Sequence, residues 1–296
     1  MYRDIVNNKI KTGIIVVLFT AMISVMIYFI CNYFGYGQYS VMIALIFSII
    51  SSMATYYNSD KIVLAQVHAR EATHEEDLQL TNIVDGLMVA SGLKNKPRVY
   101  VVDSAQPNAF ATGRDPEHAV ICVNKGLMDR LNYNELEGVI AHEMSHIKNY
   151  DIRLSAVISV MVGFVIMLSD FVFRFSFRRR NSNNNSGGSN AILMIIGLVF
   201  VILSPLASQL IQLAVSRRRE YLADATAVSF TRNPDALISA LQKISSDPTP
   251  LETASKSTAH MYISNPFKKR DPNQTSLFST HPSIADRCEA IRNLKY

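Results

Sequence analysis

The 296-residue chain is short of charge and of cysteine, and both shortages narrow what it can be. Charged residues make up 18% against 49% hydrophobic, a balance that leans toward a membrane protein with a substantial water-exposed part. The mean hydropathy of +0.13 agrees with that balance. The three cysteines, Cys31, Cys122 and Cys288, stand far apart with no Cys-x-x-Cys spacing. This excludes a disulfide framework, favours a reducing compartment and leaves any metal site to histidines and carboxylates. The net charge is +5, yet there is no basic stripe interleaved with aromatics that would hold nucleic acid. Basic residues instead flank apolar segments: Arg3, Lys9 and Lys11, then Arg178 to Arg180, then Arg217 to Arg219. An anionic membrane surface attracts such groups. No internal repeat is visible.

Four apolar stretches organise the chain. Gly13 to Phe34 and Ser40 to Tyr57 form a first pair, and Leu154 to Phe173 and Ala191 to Val215 a second. Each is long enough to cross a hydrocarbon core of about 30 Å. The first follows a basic segment, as a signal peptide would, but it is too long and no small-residue cleavage site precedes Asn32 and Tyr33, so it reads as a retained anchor. Gly35 to Tyr39 leaves room only for a hairpin turn. Arg178 to Asn190, rich in Asn, Ser and Gly, has the composition of a disordered linker. Four segments follow: 1–57, an N-terminal transmembrane hairpin; 58–153, a water-exposed region; 154–215, the second apolar pair with its linker; and 216–296, a second water-exposed region.

In the first water-exposed region, Leu80, Ile83, Val84 and Leu87 recur at helical spacing, and Gly92 can end that helix. Val99 to Val102 and Ala119 to Val123 read as short strands, with Asn108 to Gly113 extended or looped between them. A helix is predicted from an Asn134 cap, with Glu137 three residues on, and with Leu136, Ile140, Met144 and Ile147 on its buried face. Farther along, Pro234 opens a helix whose apolar side carries Leu237, Ala240, Leu241 and Ile244. Pro282 opens a last one that ends near Lys295. The expected fold is a mainly α integral membrane protein: four apolar transmembrane helices and an α-rich water-exposed domain with a small β-sheet.

The chemistry concentrates in Ala141-His142-Glu143-Met144-Ser145-His146. Residues four apart share a helix face, so both imidazoles can reach one ion. Glu143, one residue past His142, points beside that ion, as suits a base acting on a water the ion has activated. A catalytic zinc needs a third protein ligand and an open position. In Glu220-Tyr221-Leu222-Ala223-Asp224 two carboxylates lie one turn apart on one face. Glu220 can ligate while Asp224 accepts a hydrogen bond from a ligand histidine; the competing reading is a solvated basic-acidic segment at a membrane exit.

Taken in order, the N-terminal apolar hairpin, Asn108 to Gly113, His142 to His146, the second apolar pair, Arg217 to Asp224, and Thr280-His281-Pro282 with Arg287 resemble the membrane-embedded gluzincin peptidases. The nearest resemblance is to the HtpX-type proteases of bacterial plasma membranes, relatives of the CAAX prenyl proteases. It implies a gluzincin catalytic domain and one Zn²⁺ per chain, held by His142, His146 and Glu220. It also implies Glu143 as general base and Asp224 as partner to a ligand. Asn108, Ala109, Phe110 and Ala111 would form an edge strand to which a peptide adds through main-chain hydrogen bonds. His281 is open between two roles, shielding or oxyanion stabilisation near the metal, and a cap region for the last helix. Arg287 is expected to pair with a carboxylate. His68, His74, His118 and His260 have no partner at metal spacing and are expected at the surface.

Because His146 and Glu220 must meet, the segment between them crosses the membrane twice or not at all. Arg3, Lys9, Lys11, Lys61 and Arg217 to Arg219 place the site on the cytoplasmic side, while Arg174 and Arg178 to Arg180 then emerge on the wrong face if the second pair spans. An intramembrane motif is disfavoured by Glu135, Glu137, Lys148, Asn149 and Asp151 around it. The expected activity is zinc-dependent endopeptidase cleavage of misfolded or damaged membrane proteins and unfolded polypeptides, a quality-control and stress-response role. It would take place at the lipid bilayer, with no nucleic-acid partner and with homo-oligomerisation left open. A CAAX-type prenyl protease and a catalytically silent membrane scaffold are the alternatives.

Overall fold

The computed structural model describes residues 2–33, 35–180, 216–249, 257–263 and 282–294. Its elements in chain order are α1 (Tyr2–Tyr33), α2 (Ser40–Tyr57), α3 (Ser59–Gln66), β1 (Arg70–Glu71), α4 (His74–Ser91), β2 (Arg98–Val102), β3 (Ala109–Thr112), β4 (Val120–Asn124), α5 (Lys125–Arg130), α6 (Tyr133–Lys148) and α7 (Asp151–Arg180). After the undescribed stretch come α8 (Arg217–Thr231), α9 (Pro234–Ser246) and α10 (Ile284–Arg292).

Helices α1 and α2 form a hairpin. Gly35 and Gly37 turn the chain between them with φ of +86° and +51°, values that glycine adopts at little cost. Among the described residues, Ile5–Tyr28 and Gly37–Tyr57 are the two helical stretches long and apolar enough to cross a membrane. Val17, Leu18, Phe47 and Ile50 are exposed on their outer faces, an arrangement that suits a lipid surround. Their inner faces are small and polar: Ala44 and Ser48 are buried, and Thr20 Oγ1 donates to Ser52 Oγ at 2.8 Å. Small residues and hydroxyl pairs are how helices approach closely where no water drives them together.

The third expected stretch, Leu154 to Phe173, falls within α7. The early turns of that helix belong to the protein interior: Leu154, Val157, Ile158 and Met161 pack on Ile15, Phe19 and Ile23 of α1. The fourth stretch, Ala191 to Val215, and the linker beyond Arg180 lie outside the described residues, as does His281. The described residues therefore account for two apolar crossings of the four expected.

The water-exposed part carries an apolar cluster on each face of its sheet. Its sheet runs β1-β2-β4-β3, with β2 and β4 parallel and β3 antiparallel to β4 at the edge. Helix α6 lies against the sheet, burying Leu136, Ile140, Met144 and Ile147 together with Leu80, Ile83, Val84 and Leu87 of α4 and Ile121 and Val123 of β4. Leu237, Ala240, Leu241 and Ile244 of α9 complete the same core from the far half of the sequence. Gly92 takes φ +66° and caps α4 as expected.

Two helix starts differ from expectation. α6 is capped by Asn132, not Asn134, and the reciprocal partner is Glu135, not Glu137. Tertiary contacts select this register: the buried Glu135 also accepts from Ser239 Oγ at 2.6 Å and Lys243 Nζ at 2.7 Å on α9. Asn134 is left exposed on the first turn. The last helix begins at Ile284 rather than Pro282 and ends at Arg292, because Ser283 Oγ accepts from the Asp286 N–H and so sets the start.

Candidate metal centre

The 3.6-residue period of α6 puts the imidazoles of His142 and His146 side by side, ring centroids 4.8 Å apart and nearly perpendicular. Their Nε2 atoms face each other at 3.2 Å. Helix α8, reached only after the undescribed stretch, brings Glu220 to the same point, with carboxylate oxygens 3.8 Å from His142 Nε2 and 3.6 Å from His146 Nε2. All three ligand-type atoms lie within 4.8 Å of one another. Tetrahedral bonds of about 2.0–2.1 Å would separate ligand atoms by roughly 3.3 Å, so this donor set fits a small divalent cation.

The far nitrogens strengthen the case. His142 Nδ1 lies 2.9 Å from Asp224 Oδ1, and His146 Nδ1 lies 2.9 Å from Asp151 Oδ2. Each carboxylate draws the ring proton to Nδ1 and leaves the Nε2 lone pair aimed at the centre. Two such lone pairs at 3.2 Å repel unless a proton or a metal cation lies between them. Asp224 is itself clamped by Arg287, whose Nη2 and Nε donate to its two oxygens at 2.6 and 2.8 Å. Arg287 is 0% exposed. Burial alone would raise the Asp224 carboxyl; the Arg287 charge and hydrogen bonds, with His142, outweigh it and hold Asp224 below the ordinary carboxylate value. The approach of Arg287 Nη2 to His142 Nδ1 at 3.4 Å is then a contact between two donors and no hydrogen bond.

Glu143 is buried beside His142, His146 and Glu220. Burial is the largest influence on it and raises its carboxyl, the His146 charge lowers it, Glu220 raises it, and the Ala111 N–H and Arg287 lower it, leaving it at about 7. A carboxylate there can both take and return a proton near neutral pH. For His146, burial lowers the imidazole, but the Asp151 hydrogen bond and the Glu220 charge more than compensate and carry it to about 9 when no cation competes. His142 is held below its ordinary value, mainly by burial.

The expected substrate residues Ala109, Phe110 and Ala111 form β3, with Asn108 just before it, and β3 is the edge of the sheet nearest α6. Its cleft side is already in use at two points. The Ala111 N–H donates to Glu143, and Ala109 O accepts from Ile263 N–H at 3.1 Å. The segment from His260 to Ile263 forms the opposite wall, and the cavity it shares with the ligand groups measures ≈ 40 Å³. That is room for an ion and a water or two.

Sequence reasoning missed three features here. Asp151 lies five residues after His146, a spacing that on a continuous helix points it elsewhere; a turn at Asn149 and Tyr150, with Tyr150 at φ +60°, swings it back. His260, expected at the surface, is 4% exposed and lines the cavity, because the segment that carries it folds over the site. His68, His74 and His118 are exposed as expected. The link from the Ala111 backbone to Glu143 had no signal in the residue types, since a main-chain donor carries none.

A buried His-Glu-x-x-His helix joined by a glutamate from a later helix, behind an apolar hairpin, defines a membrane-bound metallopeptidase of gluzincin type. The comparisons make this more specific. Residues 74–295 match the model of Peptidase family M48. Relatives named as Protease HtpX homologs include one from Dictyoglomus thermophilum, 45% identical over 294 residues, covering 98% of this chain and 94% of that one. Another, from Thermoanaerobacter pseudethanolicus, is 43% identical over 300 residues and covers 99% and 98%. A third, from Listeria monocytogenes, is 41% identical over 309 residues and covers 99% and 100%. Among solved structures, Ste24p of S. mikatae shares the fold with a TM-score of 0.51 at 19% identity, over 98% of this chain and 67% of that one. The chain belongs to Peptidase family M48 and is a membrane metalloprotease acting on polypeptides.

Proposed function

We propose that the chain is a zinc endopeptidase of the bacterial plasma membrane that removes misfolded or damaged membrane proteins from a site facing the cytoplasm. His142, His146 and Glu220 are its metal ligands, and Glu143 is its general base. The reading rests on one observation above the others: two Nε2 atoms 3.2 Å apart, each backed by a carboxylate, with the Glu220 carboxylate beside them. Nitrogen and oxygen donors without thiolate suit zinc, which as a bound ion supplies Lewis acidity toward a carbonyl and acidifies a water.

The chain's own groups do the rest. Glu143, held by the Ala111 N–H, accepts the proton of the attacking water and delivers it to the departing amine. Asp224 and Asp151 keep both imidazoles in the ligating tautomer, and Arg287 keeps Asp224 ionised. Substrate adds along β3 with Asn108 to Ala111 as its edge; because Ile263 N–H occupies Ala109 O, a peptide in full register must displace that bond. Residues 1–57 and 154–215 carry four crossings, and 58–153 and 216–296 together form the catalytic domain. Support for the orientation comes from Lys9, Lys11, Lys61 and Arg217 to Arg219 flanking the apolar segments.

The test is Glu220→Gln in the full chain, with bound zinc and cleavage of an unfolded membrane-protein reporter measured together. The expected result is loss of both, the zinc affinity falling by more than the roughly 10–100-fold that losing an outer partner costs. A variant that keeps stoichiometric zinc and wild-type cleavage would reject the ligand set. Cleavage restricted to prenylated peptides would move the substrate assignment to the CAAX class.

A further inference from the structure

The first membrane helix is usually counted as an anchor, yet one of its residues is wired to a metal ligand. The buried face of α1 runs Asn8, Thr12, Ile15, Phe19 and Ile23, a helical stripe whose apolar part packs on α7. Asn8 opens that stripe and is 4% exposed. A buried amide is costly unless its hydrogen bonds are met, and those of Asn8 are met by the machinery of the metal centre. Its Nδ2 donates to Asp151 Oδ1 at 2.7 Å and to Asn149 O at 3.3 Å, and its Oδ1 accepts from Arg219 Nη1 at 3.1 Å. The other oxygen of Asp151 receives His146 Nδ1 at 2.9 Å. Arg219 immediately precedes Glu220.

Asp151 needs this support. It stands just past the turn that ends α6, after Tyr150 in a left-handed conformation that a tyrosine seldom adopts. Its Oδ1 is bonded by Asn8 and also faces Arg219 Nε at 3.8 Å, contacts that keep the carboxylate turned toward His146. Asn8 occupies the other oxygen and grips the Asn149 carbonyl on the same turn, while Lys9 Nζ sits 4.2 Å from the centre of the Tyr150 ring. Three consecutive residues of the turn are thereby held by two consecutive residues of α1.

We propose that Asn8 is a positioning residue for the metal centre: its amide orients Asp151, which orients the His146 imidazole, so that the N-terminal membrane helix sets the geometry of a ligand on α6. The inference rests on His146 being a ligand, as assigned above. It predicts that α1 cannot be exchanged for an arbitrary apolar anchor without loss of metal affinity.

The full chain in detergent is compared with Asn8→Ala and with Phe19→Ala. Phe19 packs edge-on against Phe164 in the same interface, at 5.6 Å between centroids, and does not line the cavity at the metal centre. Zinc affinity is read by competition with a fluorescent chelator, alongside kcat, KM and melting temperature. Asn8→Ala should bind zinc about tenfold more weakly and lower kcat with KM unchanged. Phe19→Ala should melt earlier but bind zinc as the wild type does. Asn8→Ala with undiminished zinc affinity overturns the proposal, and so does an equal loss in Phe19→Ala, which would make docking of the helix, not the amide, the cause. Should Asn8→Ala fail to fold, near-isosteric Asn8→Asp carries the same test, since it keeps an acceptor for Arg219 and sets a carboxylate against Asp151. In an Asp151→Asn background the Asn8 substitution should cost nothing further; a fully additive loss refutes transmission through Asp151. If His146→Ala binds zinc as tightly as the wild type, the ligand assignment itself falls, which separates that failure from a failure of the Asn8 link.

Discussion

Replacing Glu143 by Gln should abolish cleavage and, at the same time, make the metal-free protein more stable. The carboxyl is buried and titrates at about 7, against an ordinary 4.5. Between those two values the folded protein binds more protons than the unfolded chain, so stability falls as pH rises through that window and levels off above about 7. At roughly 1.4 kcal/mol per pKa unit, the raised Glu143 costs the metal-free fold about 3 kcal/mol at pH 8 and less than about 1 kcal/mol at pH 5. Glutamine keeps the shape and an oxygen for the Ala111 N–H but cannot ionise. The assay is thermal unfolding of both proteins in detergent after chelation, at pH 5 and pH 8. About 3 kcal/mol corresponds to a gap of roughly 6–12 °C at pH 8 for a domain of this size, closing toward pH 5 and narrowing when zinc is restored. Cleavage should fall by about 10²–10⁴-fold, the usual worth of a general base, with zinc retained. A gap equal at both pH values, or a wild type that is the more stable at pH 8, would refute the burial argument even if activity were lost.

Three other outcomes follow from the same geometry. On the proposed ligand set, zinc displaces the proton that His146 carries up to about 9 in the metal-free protein; binding at pH 7–8 should therefore release about one proton, and apparent affinity should climb about tenfold per pH unit until it flattens near 9, as calorimetry in buffers of different ionisation enthalpy can measure. Arg287→Met leaves the buried Asp224 without its charged partner, only His142 Nδ1 still donating to it, and should cost about 3–5 kcal/mol, seen as a lower unfolding temperature together with weaker zinc binding. Gly138 is where α6 meets α9, and a Cβ there would lie 3.3 Å from Leu237 Cα; Gly138→Val should destabilise by about 1–3 kcal/mol through overpacking, without altering the pH dependence of zinc binding.

Much of this protein is legible residue by residue. The spacing of His142 and His146 puts both imidazoles on one side of any helix that contains them, and the apolar spacing of Leu136, Ile140, Met144 and Ile147 says which face of that helix is buried. Gly92 ends α4, and the apolar run from Gly13 becomes a long exposed helix, for equally local reasons. Helix starts were less secure. Asn134 and Glu137 satisfy the capping pattern as well as Asn132 and Glu135 do, and what separates them is Ser239 and Lys243, more than a hundred positions away.

The sequence by itself thus determined the chemistry: which side chains can hold a cation, which can move a proton, and which segments prefer lipid to water. These follow from composition and from the two short periods of the backbone. Only the tertiary structure decided how that chemistry is assembled. It brought Glu220 to His146, turned Asp151 back toward the ring it orients, laid His260 to Ile263 over the cleft, and carried Asn8 from a membrane helix to the edge of the site. No periodicity encodes these meetings, because each depends on where distant segments come to rest, and that is set by the apolar packing on both faces of the sheet and between α1 and α7.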